Sequence, residues 1–223
     1  MGSVIGDILP LALGITISPI PIIAAILMLL SPKAKGTSVG FLIGWILGIV
    51  VALVVFILLA SVITPSDPDA SQPVAGVIKL LLGALMLLLA VKQWRGRPQG
   101  DAEPALPAWM AAIDSMTPVK GLGLGFLLSA VNPKNLLMGA GAGVTIGSAG
   151  LAFGSVVITV VVFTVIASAS VAVPVLGYLV ASSAMAGPLE SLRKWLVHNN
   201  AIVMAVLLLV IGVTVIGKGL GSF

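Results

Sequence analysis

Six long apolar runs separated by short polar segments restrict what this chain can fold into more than any other feature. Each run is close to or above the roughly 20 residues that a helix needs to cross the bilayer core. Only 8% of the 223 residues are charged, whereas soluble domains average about 25%. We therefore predict an all-α, polytopic membrane protein that forms one integral-membrane domain over residues 1–223, with spans at residues 4–30, 37–63, 74–93, 120–147, 151–181 and 201–218.

The composition also excludes several kinds of chemistry. The chain has no cysteine and a single histidine, His198, which excludes thiol redox relays and thiolate metal sites and argues against a zinc protease. Residues 36–40 match the G-x-S-x-G pattern of a serine nucleophile, but they open a membrane helix and not a strand-to-helix turn. No glycine-rich phosphate loop occurs. We predict a protein that is not an enzyme and that uses no metal or other cofactor.

Basic residues are distributed very unequally between the two sides of the predicted spans. Cytoplasmic loops of membrane proteins carry an excess of Lys and Arg, so we predict that both termini lie outside the cytoplasm, in a cytoplasmic-membrane protein. This orientation explains the net charge of +4 without a nucleic-acid partner. The far side has Lys79 and Lys218, whereas the loops after spans one, three and five hold Lys33, Lys35, Lys92, Arg95, Arg97, Lys120, Arg193 and Lys194.

Three connecting segments have compositions of their own. Residues 64–73 combine proline with aspartate and predict a short acidic surface loop. Residues 107–116 and 188–197 predict short interfacial helices, because Trp109 and Trp195 would lie at the level of the lipid headgroups.

Two proline motifs lie at similar depths in the first and fourth runs. They read Ser18-Pro19-Ile20-Pro21 and Asn132-Pro133-Lys134-Asn135, and their first prolines are 133 − 19 = 114 residues apart. Because three spans separate the copies, the halves would cross the membrane in opposite directions, as in transporters built from inverted repeats. We predict repeat 1 at about residues 4–93, a cytoplasmic loop at about 94–119 and repeat 2 at about 120–218. The alternative is that two proline-containing helices lie in corresponding places by coincidence.

Each proline motif predicts a broken membrane helix. Proline removes a backbone donor, and the carbonyls so freed must be buried in protein or line a wet cavity. Two breaks at matching depth indicate a central site, although kinks that merely improve packing are the alternative. Lys134 lies near the bilayer centre, where an ammonium costs from about 3 to over 10 kcal/mol. It would either contact freed carbonyls, bind an anionic substrate group, or extend to an interface from a tilted span.

Glycines spaced by four residues line one face of the second run and one face of the fourth. Small residues at this spacing let helix backbones approach closely, which is chiefly a packing role. Such faces would also permit a homodimer. The two sets are Gly36, Gly40, Gly44 and Gly48, and Gly139, Gly143 and Gly147.

Two segments carry a family resemblance. Residues 17–45 read ISPIPIIAAILMLLSPKAKGTSVGFLIGW, and residues 129–143 read SAVNPKNLLMGAGAG. Together with six spans in two halves, they resemble the lysine-exporter (LysE) superfamily and, within it, the GAP family of peptidoglycolipid-addressing proteins, which includes sulfolipid-addressing proteins. The family's paired proline motifs fall on Ser18, Pro19 and Pro21, and on Asn132, Pro133, Lys134 and Asn135.

The resemblance implies a cytoplasmic-membrane protein of the mycobacterial type that takes part in exporting complex envelope glycolipids or lipopeptides. Amino-acid exporters of the superfamily usually have Gly between the two prolines and a polar residue after the second. This chain has Ile20 and Ile22 at those positions, which favours a more apolar cargo.

Three functions remain as hypotheses at this level. The first is a transporter, or an accessory to one, that moves an envelope lipid outward, with membrane lipids and a lipid-export pump or lipid-synthesis enzymes as partners. The second is an exporter of amino acids or other small solutes. The third is a scaffold that holds lipid-synthesis enzymes at the membrane without transporting anything.

Overall fold

A computed structural model describes residues 1–63, 73–97 and 108–222 of the chain. These residues are almost entirely helical and contain no strand, in agreement with the predicted fold class. A short 3-10 helix, Ala108–Ser115, precedes α5. The α-helices are α1 (Gly2–Thr16), α2 (Pro19–Leu29), α3 (Ala34–Ile63), α4 (Pro73–Arg95), α5 (Pro118–Ala130), α6 (Pro133–Gly147), α7 (Phe153–Val180) and α8 (Ser182–Leu220).

Four helices of the described residues are long and apolar enough to cross a membrane alone, namely α3, α4, α7 and α8. Helices α1 and α2 together make a fifth such unit, bent by 51° at the break between them. The chain is therefore a multi-pass membrane protein. Helices α5 and α6 follow one another across a second break, but neither is long enough to span alone, so the sixth span stays a prediction.

Both helix breaks lie at the proline motifs. Helix α1 ends at Thr16, and α2 begins at Pro19, the first helical position, where a missing N–H is tolerated. Helix α5 ends at Ala130 and α6 begins at Pro133, and the Asn132 side chain accepts a hydrogen bond of 3.0 Å from the Lys134 backbone N–H. The prolines thus start new helices after each break.

The glycines of α3 pack that helix against α5. A Cβ added at Gly40 or Gly44 would collide with a backbone carbonyl of α5, at Pro118 or Leu122 respectively. Gly143 and Gly147 of α6 likewise abut α3, whereas nothing lies within 4 Å of a Cβ built at Gly139. All of these glycines except Gly139 therefore pack against the chain's own helices, and a homodimer stays a prediction.

The remaining helices complete the bundle around α1 and α2. Helix α7 packs against both halves of the broken first span, and α4 packs along α8. The largest fully buried side chains are those of Trp45, Phe41 and Phe163. Many large apolar side chains on the outer helix faces are exposed, as expected of surfaces that meet lipid.

The connecting segments differ in part from expectation. Residues 188–197 form no separate interfacial helix, because they continue without interruption within α8. The predicted helix at 107–116 is the 3-10 helix Ala108–Ser115, and the Trp109 side chain lies outside the described part of the structure. The acidic loop lies outside it as well, except for Pro73, which begins α4.

The helix ends divide the charged residues between two ends of the bundle. Gly36, at the start of α3, abuts Pro118, at the start of α5, so Lys33, Lys35 and Lys120 share one end. The opposite end holds Lys79 and Lys218. The Lys218 Nζ atom lies 2.9 Å from the Asp7 Oδ1 atom. On α8, Glu190 and Arg193 form an ion pair in which the Glu190 Oε1 atom lies 2.6 Å from the Arg193 Nη2 atom.

Candidate functional site

The Lys134 ammonium lies in the break between α1 and α2. Its side chain is 3% exposed, so it does not extend to an interface. The Nζ atom donates to the carbonyl oxygens of Gly14, at 2.6 Å, and Ile17, at 3.4 Å. Its third partner is the Ser18 hydroxyl oxygen. All three donors of the ammonium are therefore used, and no carboxylate among the described residues pairs with it.

The proline motif explains why these carbonyls are available. In an unbroken helix the Ile17 carbonyl would accept from the N–H of residue 21, which is proline. The Gly14 carbonyl would accept from the Ser18 N–H, but that group bonds to Thr16 instead. The last turn of α1 is thus left with acceptors, which carry the partial negative charge of a helix C-terminus. A buried cation satisfies them.

Ser18 and Asn135 join the two helix breaks. The Ser18 side chain makes no cap bond to its own helix, and its hydroxyl faces the Asn135 Oδ1 atom at 3.5 Å. The Asn135 Nδ2 atom donates to the Leu128 carbonyl in the last turn of α5, at 3.1 Å. A continuous polar chain therefore runs from the end of α1, through Lys134 and Ser18, to the end of α5.

Apolar side chains enclose this polar chain. The side chains of Met138 and Ile211 lie directly against Gly14, where a Cβ would be 2.7 Å from the Met138 sulfur. Thr16 anchors the end of α1 to α7, because its hydroxyl donates to the Ile166 carbonyl. The glycine at position 14 leaves room for these contacts, so the end of α1 is held closely against α6 and α8.

Charge and dipoles at the two breaks would suit an anion. Helices α2 and α6 both begin here, and a helix N-terminus carries partial positive charge. A protonated Lys134 would add a positive charge, which only neutral acceptors would balance. An anionic group that displaced the α1 carbonyls would meet the ammonium and both of these helix starts.

The predicted site residues occupy different environments. Ser18, Pro19, Pro21, Lys134 and Asn135 are buried at the two breaks. In contrast, Asn132 is half-buried and caps α6, and Pro133 is exposed on the outer surface of the bundle. Neither of these two contributes a side-chain contact to the Lys134 ammonium. The predicted glycines, except Gly139, lie in the helix interfaces described above.

Sequence reasoning missed Gly14 and Ile17, which bind the ammonium through backbone carbonyls. The absent N–H of Pro21 was the signal for Ile17, but the Gly14 contact follows from a local hydrogen bond that only coordinates show. Among the described residues, no three His, Asp or Glu side chains come together as a metal site would require.

A second feature is an apolar groove between α4 and α8 on the outer surface. Its walls are almost wholly apolar, and its residues include Val91, Trp94, Val206 and Leu209. Arg95 lies at its edge, and the neighbouring Arg97 guanidinium stacks 4.2 Å from the centre of the Trp94 ring. The groove is therefore open to lipid, with cationic groups beside it at the basic end of the bundle.

One comparison with known proteins is informative. A family model described as "Sap, sulfolipid-1-addressing protein" matches residues 8–221, which is nearly the whole chain and includes both helix breaks. No curated protein and no solved structure gives a significant match.

Proposed function

This chain belongs to the sulfolipid-1-addressing protein family, and we propose that it exports a complex envelope lipid with an anionic headgroup across the cytoplasmic membrane. Its relation to the wider LysE superfamily and the GAP family, and a mycobacterial-type envelope, are parts of the same proposal. Both termini would lie outside, since eight of the eleven Lys and Arg residues lie in segments at the end that would face the cytoplasm.

The observation that carries the proposal is the Lys134 ammonium held by Gly14, Ile17 and Ser18. A buried charge without a carboxylate partner is expensive in a membrane and is by default a functional group. In this arrangement the two α1 carbonyls and the Ser18 hydroxyl accept the three hydrogen bonds of the ammonium. A sulfate or phosphate ester would replace them, while Asn135 and Ser18 would supply hydrogen bonds around it.

The apolar groove favours a lipid over a small solute. Val91, Trp94, Val206 and Leu209 would accept an acyl chain, and Arg95 would hold the anionic headgroup at the inner surface. The isoleucines Ile20 and Ile22 in the first break agree with an apolar cargo. A small hydrophilic solute would gain nothing from such a groove.

Helix packing suggests how the site would alternate between the two sides. In the proposed repeat, α1 and α2 correspond to α5 and α6, α3 corresponds to α7, and α4 corresponds to α8. Helix α3 packs on α5 and α6, α7 packs on α1 and α2, and α4 packs on α8. These pairings support two inverted halves that rock against each other around the fixed breaks.

Energy would come from outside the chain. A self-contained proton relay in the membrane usually uses Asp, Glu or His, and the described carboxylates, Asp7 and Glu190, lie away from Lys134 near the helix ends or beyond the apolar part of α8. We therefore propose that the protein works with a lipid-export pump or with the enzymes that complete the lipid, or that the lipid moves down its own gradient.

The test compares surface-exposed with total envelope lipids in a strain that lacks the protein. The strain is complemented with wild type, Lys134→Ala, Lys134→Met or Lys194→Ala. Lys194 is the matched control because its side chain is 71% exposed at the basic end. With Lys134→Ala or Lys134→Met, we expect one lipid class to be depleted from the surface and to accumulate inside, although the amount of the protein in the membrane is unchanged.

Two results would contradict the proposal. Normal lipid export in both Lys134 variants would remove the ammonium from the mechanism. An unchanged lipid profile in the strain without the protein would overturn lipid export itself, and efflux of labelled amino acids would then test the small-solute hypothesis. Co-purified lipid-synthesis enzymes without any export defect in the variants would favour the scaffold.

A further inference from the structure

An open cleft lies at the basic end of the bundle, close to the ends of α2 and α7 and to the starts of α3, α5 and α8. Lys33 and Lys35 line it from the connection between α2 and α3, and Tyr178 and Ser182 line it from α7 and α8. Its volume is about 530 Å³, within the range of about 300–1,000 Å³ that is usual for ligand pockets. The cleft is therefore large enough for the polar headgroup of a lipid.

The charge of the cleft is positive among the residues described. Two lysines line it, and no described acidic side chain does. The described carboxylates in ion pairs are Asp7, with Lys218, and Glu190, with Arg193 and Lys194, so none of them pairs with the lysines of the cleft. Helices α3, α5 and α8 begin here without an acidic residue in the first turn, and each helix start adds partial positive charge. The cleft is therefore suited to an anion.

Two hydroxyl groups add hydrogen-bonding capacity to this charge. Tyr178 is half-buried, and Ser182 is the first residue of α8. Within the described part of the chain, no group forms a hydrogen bond with either side-chain hydroxyl. A sulfate or phosphate ester has several strong acceptor oxygens, so two ammonium groups and two hydroxyls match the groups that such an anion needs.

The position of the cleft favours a lipid over a soluble anion. The apolar spans of α3 and α8 begin at Ala34 and Ser182, and that of α7 ends at Val180, so the cleft lies where three spans would reach the headgroup level. Leu30, Val119 and Val180 stand close in the chain to residues that line the cleft, and all three are exposed. A lipid headgroup would enter the cleft while its acyl chains remained against this apolar surface.

Helix α2 connects the cleft with the buried Lys134 ammonium. This helix begins at the break where Ser18 accepts from Lys134 and ends beside the cleft. Its 11 residues correspond to a length of about 16 Å. No residue lines both the cleft and the apolar groove between α4 and α8. The cleft is thus a separate place, one short helix away from the Lys134 site.

We propose that Lys33, Lys35 and Tyr178 bind the sulfate or phosphate ester of a lipid headgroup at the cytoplasmic surface, before the headgroup reaches Lys134. Ser182 supplies a further hydrogen bond. The role of the cleft as an entry site for cargo rests on the proposed function. The anion site itself rests on the volume, the charge and the free hydroxyls of the cleft, and none of these involves Lys134.

The test measures how strongly each lysine of the purified full chain reacts with an amine-acetylating reagent, with mass spectrometry as the readout. The protein is placed in phosphatidylcholine nanodiscs that contain sulfated galactosylceramide, neutral galactosylceramide or phosphatidylglycerol, or with inorganic sulfate or hexaglutamate added. We expect sulfated galactosylceramide to lower acetylation of Lys33 and Lys35 about fivefold, as roughly four-fifths occupancy would. Phosphatidylglycerol should protect the same two lysines, and Lys194, which does not line the cleft, should be unchanged.

Three variants sharpen the measurement. Lys33→Gln should reduce the protection of Lys35 to less than about twofold, because one of the two charged donors is lost. Tyr178→Phe keeps the ring but removes the hydroxyl, so the same protection should require a several-fold higher fraction of sulfated lipid. Lys194→Gln is the matched control at the basic end and should leave the protection of Lys33 and Lys35 unchanged.

The outcomes separate the possible ligands. Protection by sulfated lipid but not by inorganic sulfate supports a lipid headgroup, whereas equal protection by inorganic sulfate supports an anion site and overturns the lipid as its ligand. Stronger protection by hexaglutamate than by any lipid would overturn the proposal in favour of an acidic protein segment.

Protection that is absent from Lys33 and Lys35, equal at Lys194, or equal with neutral galactosylceramide overturns the site. The assay needs no export. Intact protection, in a protein whose Lys134→Ala variant exports lipid normally, would therefore reject the part of Lys134 in the proposed function and leave this site standing.

Discussion

The Nζ atom of Lys134 lies 2.6 Å from the carbonyl oxygen of Gly14, which is 120 residues earlier in the chain. This contact connects the start of α6 with the end of α1, and so links the two broken helices through a charged group. Charge-assisted hydrogen bonds of this kind are about twice as strong as neutral ones. A residue of the second half therefore satisfies the carbonyls that the break in the first span leaves free.

The Ser18 hydroxyl should contribute measurably to stability. We expect Ser18→Ala to lower the free energy of unfolding by about 2 kcal/mol, because it removes an acceptor of the buried Lys134 ammonium. Thermal unfolding of the purified protein in detergent would measure the loss. Ser129→Ala is the matched control, since both serines are 2% exposed.

The Ser129 hydroxyl bonds only to carbonyls of its own helix, those of Gly125 and Phe126. These hydrogen bonds stay within α5 and connect no other part of the chain. We therefore expect Ser129→Ala to lower the free energy of unfolding by less than about 1 kcal/mol. Equal losses in the two variants would show that the hydroxyl of Ser18 has no special part in joining the breaks.

Two glycines of α5 should respond in opposite ways to alanine. A Cβ at Gly125 would collide with the Phe41 carbonyl of α3, whereas nothing lies within 4 Å of a Cβ at Gly123. We expect Gly125→Ala to destabilise the protein by about 3 kcal/mol or more through overpacking. Gly123→Ala should be neutral or stabilise by up to about 1 kcal/mol, because alanine favours a helix.

Unfolding midpoints of the two variants, measured in the same detergent, would check this expectation. A small effect of Gly125→Ala would mean that α3 and α5 can separate at little cost, and that their contact is not a rigid interface.

Replacing the prolines of the first break should straighten it. In Pro19→Ala/Pro21→Ala, new N–H groups would bond to the carbonyls of Ile15 and Ile17, so Lys134 would lose one acceptor. We expect export to fall and the 51° bend to decrease. Spin labels on cysteines introduced at Gly6 and Leu30 should move apart by about 3 Å, as expected when two helical segments become collinear.

The chain has no cysteine of its own, so the labels have no background. Pro174→Ala is the control, because it also restores an N–H within a helix, in this case α7. An unchanged label distance in the double variant would show that tertiary contacts, and not the prolines, impose the bend.

The orientation of the chain can be tested with single cysteines at the two ends of the bundle. We expect a membrane-impermeant maleimide to label Gly221→Cys in intact cells and to label Lys194→Cys only after the cells are opened. The reason is that Lys194 lies on the side predicted to hold eight of the eleven Lys and Arg residues. The reverse labelling pattern would overturn the predicted topology.

The helices and their breaks could be predicted because their causes are local. Hydrophobic runs of sufficient length must be helical in a bilayer, and Pro19 and Pro133 lack the N–H that would continue a helix. The predicted spans at 37–63, 74–93 and 151–181 thus agree closely with α3, α4 and α7. The prediction of a separate interfacial helix at 188–197 was wrong, since Trp195, on which it was based, gave no sign that α8 continues through the segment.

The sequence alone indicated a multi-pass helical membrane protein whose first helix breaks at residue 18, and it left open whether Lys134 contacts freed carbonyls, binds an anionic group or extends to an interface. Tertiary structure decided which partner, because the Gly14 and Ser18 contacts join residues more than 100 positions apart. It also decided that most of the spaced glycines lie in contacts between helices and that Asp7 pairs with Lys218. Local patterns record which groups are left unsatisfied, whereas only the packing of whole helices determines which groups satisfy them.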